Sequence, residues 1–127
     1  MNKKPRILLI DDEIEFITTL AERLELRGYD VETSESGESG IDLMAKSSFD
    51  VAILDLMMPG LNGIDTLNQI KRIDPRLPVI LLTGHGSTKE GMEGMRIGAF
   101  DFLMKPLDIN ELLDRIKLAL EKGTKEI

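Results

Sequence analysis

Val51-Ala52-Ile53-Leu54-Asp55 is the stretch that decides how this chain is read. Four apolar residues in succession, two of them β-branched, suit a strand buried on both faces of a parallel sheet. The run closes on a carboxylate, then passes through Leu56-Met57-Met58 into Pro59-Gly60, a turn pair. An aspartate closing a central strand stands at the rim of the sheet, where open α/β folds bind ligands. Taken alone it reads first as a strand-end or helix-capping residue. Its companions change that reading.

Upstream, Arg6 to Ile10 is a second buried strand that ends on Asp11-Asp12-Glu13. A helix follows, with Ile17, Leu20, Ala21 and Leu24 on one stripe and Gly28 as its stop. Tyr29 to Thr33 is a short strand, and Ser36 caps a helix carrying Ile41, Leu43, Met44 and Ala45. Downstream, Gly63 to Ile73 places Ile64, Leu67, Ile70 and Ile73 at helical spacing, and Asp74-Pro75 ends it. Val79 to Leu82 is the next strand and runs into Thr83-Gly84. Ser87 with Glu90 forms a capping box for a helix to about Ile97. Gly91 and Gly94 cost that helix about 1 kcal/mol each and make it the softest in the chain. Ala99 to Met104 is the fifth strand and ends on Lys105-Pro106. Asp108 and Glu111 cap a last helix lined by Ile109, Leu112, Leu113, Ile116 and Leu120, with Gly123 as its stop.

Strands alternating with helices, joined by right-handed crossovers, predict an α/β fold: a doubly wound five-stranded parallel sheet with helices on both faces. In the flavodoxin-like order 2-1-3-4-5, strands one, three, four and five are consecutive neighbours. Their endings are two carboxylates, Asp55, the Thr83 hydroxyl and the Lys105 ammonium, all at one rim.

The 127 residues, 42% of them hydrophobic, are enough for one cored domain. No apolar run approaches the length of a membrane span, and the basic start lacks a secretory core, so a cytoplasmic protein is expected. The absence of cysteine excludes disulfides and thiolate metal sites. A net charge of −7, with scattered Lys and Arg and few aromatics, argues against nucleic-acid binding by this domain or attraction to an anionic membrane.

Asp11, Asp12 and Asp55 held close together repel by about 4 kcal/mol per close pair at an effective dielectric near 20. Such a cluster takes up protons or a cation, and oxygen-only ligands favour Mg2+ (or Mn2+). Phosphate oxygens suit the cation's open positions, Lys105 and Thr83 can hold further phosphoryl oxygens, and Gly84 leaves room for them. A carboxylate facing phosphate there can act as nucleophile. Each member also has an ordinary role: Asp11 and Asp12 as helix caps, Thr83 as a strand-end hydroxyl, Lys105 as a solvated lysine. Their joint placement at strand ends favours the site.

Asp11-Asp12, Asp55 with Met58-Pro59-Gly60 and Gly63, Thr83-Gly84 and Lys105-Pro106 together make the chain resemble a receiver domain of a two-component response regulator. The resemblance covers essentially the whole chain: residues 1–123 as receiver and 124–127 as a charged tail. It implies that Asp55 accepts a phosphoryl group from a histidine of a sensor kinase or phosphotransfer protein. It also implies that Asp12 binds Mg2+ directly and Asp11 through water, with the Met57 carbonyl as a further ligand. Thr83, Lys105 and the Gly84 amide would hold the phosphoryl group, and the Lys105-Pro106 bond is a candidate for cis. Thr83 and Phe102 would form the switch that moves the surface of the fourth helix, fifth strand and fifth helix. Phe102 as plain core is an equal alternative. Met57 and His85 occupy positions that tune phosphoryl lifetime in the family, although His85 also reads as an exposed loop residue.

The expected function is a phosphorylation-dependent signalling module of a two-component system or phosphorelay, with no external substrate. Its output would be a downstream protein or a fused domain, and a phosphorylation-linked homodimer stays open. Residues past Gly123 are too few for an output domain, so the chain is either a stand-alone receiver or part of a longer regulator. The rival enzyme is a metal-dependent phosphatase with an aspartyl nucleophile, resembling the haloacid-dehalogenase group. That group needs a second Asp two residues after its first-strand nucleophile, where this chain has Glu13 or Ile14, and it leaves Asp55 unexplained. A receiver-like protein-binding scaffold is disfavoured because every phosphorylation residue is present.

Overall fold

A computed structural model describes residues 4–57, 62–84 and 88–125. Five strands, β1 (Arg6–Ile10), β2 (Asp30–Ser34), β3 (Val51–Asp55), β4 (Val79–Thr83) and β5 (Asp101–Met104), form one sheet in the order β2-β1-β3-β4-β5. Every pairing is parallel. The helices between and after them are α1 (Ile14–Leu26), α2 (Gly37–Lys46), α3 (Gly63–Ile73), α4 (Thr88–Ile97) and α5 (Ile109–Lys125).

The alternation of the central strands sorts the core into two layers. Ile7, Leu9, Ile53, Ile80 and Leu82 face Ile17, Leu20 and Leu24 of α1 and Leu112, Ile116 and Ala119 of α5. Leu8, Ile10, Leu54, Val79 and Leu81 face the other way, toward Leu67 and Ile70 of α3 with Ile41 of α2 and Ile97 of α4 beside them. The continuously apolar strands β3 and β4 are buried at every residue, because helices cover both of their faces.

Most predicted boundaries agree with the structure. Ser36 caps α2 by accepting from the Ser39 amide, and Gly28 follows α1 with φ +94°. Two strands begin later than expected. The Tyr29 N–H bonds back to the Leu24 carbonyl, which ties its amide to the end of α1 rather than to the sheet, so β2 runs from Asp30 to Ser34. The Ala99 N–H likewise bonds to Gly94 at the end of α4, and β5 starts at Asp101. Gly123 does not stop α5, which continues to Lys125; a glycine inside a helix costs only about 1 kcal/mol and terminates nothing without a left-handed turn. The Met58-Pro59-Gly60 turn, His85 and the Ser87 cap lie outside the described residues. The Lys105-Pro106 bond is cis.

Candidate functional site

Parallel strands all end at the same edge of the sheet, so the residues following β1, β3, β4 and β5 meet there. The Asp11 amide bonds to Ser34 O and the Lys105 amide to Thr83 O, 3.0 and 2.8 Å, which extends the ladder one residue past the strands and fixes both side chains. Each buried aspartate divides its oxygens between two tasks. Asp11 Oδ1 accepts from the Glu13 amide at 2.9 Å and Asp55 Oδ1 from the Met57 amide at 3.1 Å, each folding its own loop. Their Oδ2 atoms face Lys105 Nζ, at 2.8 Å for Asp11 and 3.7 Å for Asp55.

Carboxylate oxygens of Asp11, Asp12 and Asp55 come within 4.8 Å of one another. Asp11 and Asp55 are buried, while Asp12 stands in solvent. Burial lifts the Asp11 carboxyl to about 6; the Lys105 and Glu13 hydrogen bonds work against that rise and the neighbouring Asp55 charge adds to it. Burial alone would lower the Lys105 ammonium, but its hydrogen bonds to Asp11 and Glu13 outweigh it, so Lys105 is raised and stays charged. One lysine among three aspartates and Glu13 leaves the pocket short of positive charge. A hard divalent cation fits that deficit and the oxygen-only donors.

Thr83 is fully buried at the end of β4, and its hydroxyl reaches Leu103 O at 3.5 Å, a long bond that is easily exchanged. Gly84 follows it at the rim, partly exposed, and Met57 is 57% exposed beside Asp55. Phe102 pairs with Leu81 across the β4–β5 ladder and packs under α4, where a Cβ on Gly91 would come within 2.7 Å of its ring. The structure therefore brings Asp11, Asp12, Asp55 and Lys105 together, with Thr83 on the adjoining strand end. Two contributors escaped the sequence reading: Glu13, 2.5 Å from Lys105 Nζ, and Phe16, whose ring centre is 4.4 Å from the same nitrogen. The available signal was a third carboxylate directly after the aspartate pair, at a helix N-cap where glutamate is a poor choice.

The profile of the response regulator receiver domain matches residues 7–117. The chain belongs to that family. Among relatives of this receiver, the transcriptional regulatory protein CpxR of Escherichia coli (strain K12) is 42% identical over 123 residues, covering 97% of the receiver and 51% of CpxR. The transcriptional regulatory protein YkoG of Bacillus subtilis (strain 168) is 40% identical over 124 residues, 97% of the receiver and 54% of YkoG. The chain thus spans about half the length of these curated relatives. A crystal structure of a response regulator receiver domain protein from Clostridium thermocellum superposes with a TM-score of 0.93 at 36% identity, covering 97% of this receiver and 99% of that chain. The receiver is a phosphorylation-dependent signalling module of the two-component type, and the phosphatase reading finds no support in the family or its relatives. Response regulators work with histidine kinases and carry output domains. Among the described residues no helix is long and apolar enough to cross a membrane.

Proposed function

We propose that Asp55 is the phosphoacceptor of this receiver, drawing its phosphoryl group from a phosphohistidine of a sensor kinase or phosphotransfer protein. The observation that carries the reading is the convergence of Asp11, Asp12, Asp55 and Lys105 from separate strand ends into one pocket. Asp55 is buried, and Oδ1 is already engaged with the Met57 amide, which leaves Oδ2 as the attacking oxygen. Attack on phosphorus forms the Oδ2–P bond as the P–N bond to the donor imidazole breaks, and the nitrogen keeps the electron pair. Lys105 offers its ammonium to a phosphoryl oxygen, and Thr83 can turn its hydroxyl from Leu103 O to another. The Gly84 amide supplies a further donor where no side chain obstructs approach.

Asp11, Asp12, Asp55 and the Met57 carbonyl are the groups that would hold Mg2+ (or Mn2+). Bound there, the cation neutralises the carboxylates and polarises phosphoryl oxygens. The turn of Thr83 toward the phosphoryl group would free space toward β5, and Phe102 under α4 is placed to respond. His85 and Met57 would tune access of water to the acyl phosphate. No external substrate is implied, a cytoplasmic setting suits a kinase-fed module, and the output, fused or separate, would read the α4–β5–α5 surface. Acetyl phosphate with Mg2+ should add the mass of one phosphoryl group to the intact protein and none to Asp55→Asn; equal labelling of both would refute the assignment.

A further inference from the structure

More than the aspartates holds the Lys105 ammonium. Glu13 Oε1 stands 2.5 Å away and Asp11 Oδ2 2.8 Å away, while Asp55 Oδ2 is at 3.7 Å. The ring of Phe16 closes the same side, its centre 4.4 Å from the nitrogen. Glu13 occupies the N-cap position of α1, yet its side chain makes no capping hydrogen bond there. It reaches across to the lysine instead. The nearest partners of Lys105 therefore come from one short segment, Asp11 to Phe16, and Asp55 is the most distant of its carboxylates.

We propose that Glu13, backed by the Phe16 ring, is a positioning residue that parks the Lys105 ammonium against α1 before phosphorylation and must release it for Lys105 to grip an incoming phosphoryl group. The inference rests on the reading of Asp55 as phosphoacceptor. Lysine carries a compact charge on a flexible stem, so the same ammonium serves either carboxylate or phosphoryl oxygens as it swings. Glu13 competes with the phosphoryl oxygens for that donor, and its position makes it a brake on capture. The Glu13 side chain is 61% exposed, which limits the brake to about fivefold or less in rate or affinity.

The test compares the intact parent with Glu13→Gln, Glu13→Asp and Phe16→Leu, with Asp55→Asn as the unlabelled control. Phosphorylation by acetyl phosphate is followed by mass at saturating Mg2+, and beryllofluoride affinity is measured under the same condition. Mg2+ affinity is titrated separately, so that loss of a nearby charge is not mistaken for release of the lysine. Glu13→Gln and Glu13→Asp, whose carboxylate is one methylene too short to reach, should both label faster and bind beryllofluoride more tightly, by about two- to fivefold. Phe16→Leu should move both in the same direction by less. In all three the Lys105 13Cε resonance of the unphosphorylated protein should shift. If the parent labels on Asp55 and the Glu13 variants are no faster, the brake is refuted and the phosphoacceptor reading stands. If Gln accelerates while Asp keeps the parent rate, the effect is one of charge alone and the parking contact is refuted. A parent that takes up no phosphoryl group overturns the functional reading itself, and this inference with it.

Discussion

The Asp11 carboxyl is the residue whose chemistry the fold alters most visibly. Its value of about 6 lies above the ordinary 3.8, so folding favours the protonated form. The stability this group contributes is complete below about pH 4 and is lost as the pH climbs through about 6. Metal-free protein should consequently carry a penalty at neutral pH that a divalent cation relieves. Thermal melts with Mg2+ and with chelator should differ by several degrees at neutral pH and scarcely at about pH 4, where protonated Asp11 is a poor ligand. A uniform gain across pH would show that Asp11 takes no part. The identity of this residue was legible in the sequence, since a carboxylate pair directly after an apolar run is conspicuous. Its environment was not. Which member of Asp11-Asp12 is buried depends on the direction of the chain as it leaves β1, and that direction is set by the Asp11 amide bonding to Ser34 on a neighbouring strand. The hold of Glu13 and Phe16 on Lys105 was equally hidden, because it joins the first helix to the end of the last strand, positions far apart in the chain.

At the scale of elements, α4 shows where propensity and packing part company. From sequence, Gly91 and Gly94 only weaken a helix. In the structure they let α4 sit close to the sheet: a Cβ on Gly91 would press into the Phe102 ring and one on Gly94 into Leu81 Cδ1. Gly94→Ala should therefore lower stability by about 1–3 kcal/mol, overriding the gain of about 1 kcal/mol that propensity alone forecasts. Combining it with Leu81→Val should restore part of the loss, as denaturant midpoints would report. The pattern of apolar residues predicts all ten elements because the chain is five repeats of a strand followed by a one-sided helix. It could not place the starts of β2 and β5, where backbone amides at Tyr29 and Ala99 are claimed by the preceding helix ends rather than by the sheet.

On the scale of the whole molecule, the two rims of the sheet have separate work. The carboxyl-end rim gathers the aspartates and Lys105. At the amino-end rim Arg6 ties the chain together through Asp30 and Glu32 at 3.1 Å each and the Ser48 carbonyl at 3.1 Å, with Phe49 beneath it. Arg6→Leu should cost about 1–2 kcal/mol of stability, part of it from a poorly solvated Glu32 left without its partner, and leave phosphoryl uptake on Asp55 unchanged. Reduced uptake at a temperature where the variant is fully folded would contradict that separation. Beryllofluoride with Mg2+ should shift amide resonances from Gly84 to Phe102 and leave those around Arg6 and Asp50 in place; stationary signals between Gly84 and Phe102 would exclude α4 as the responding part. The parallel topology has one more result, in time rather than space. Asp11 is made early in synthesis and Lys105 late, and β5 is the outermost strand on its side. A growing chain on the ribosome thus carries all three aspartates before it carries the ammonium, and the pocket is complete only once the last strand of the sheet has docked.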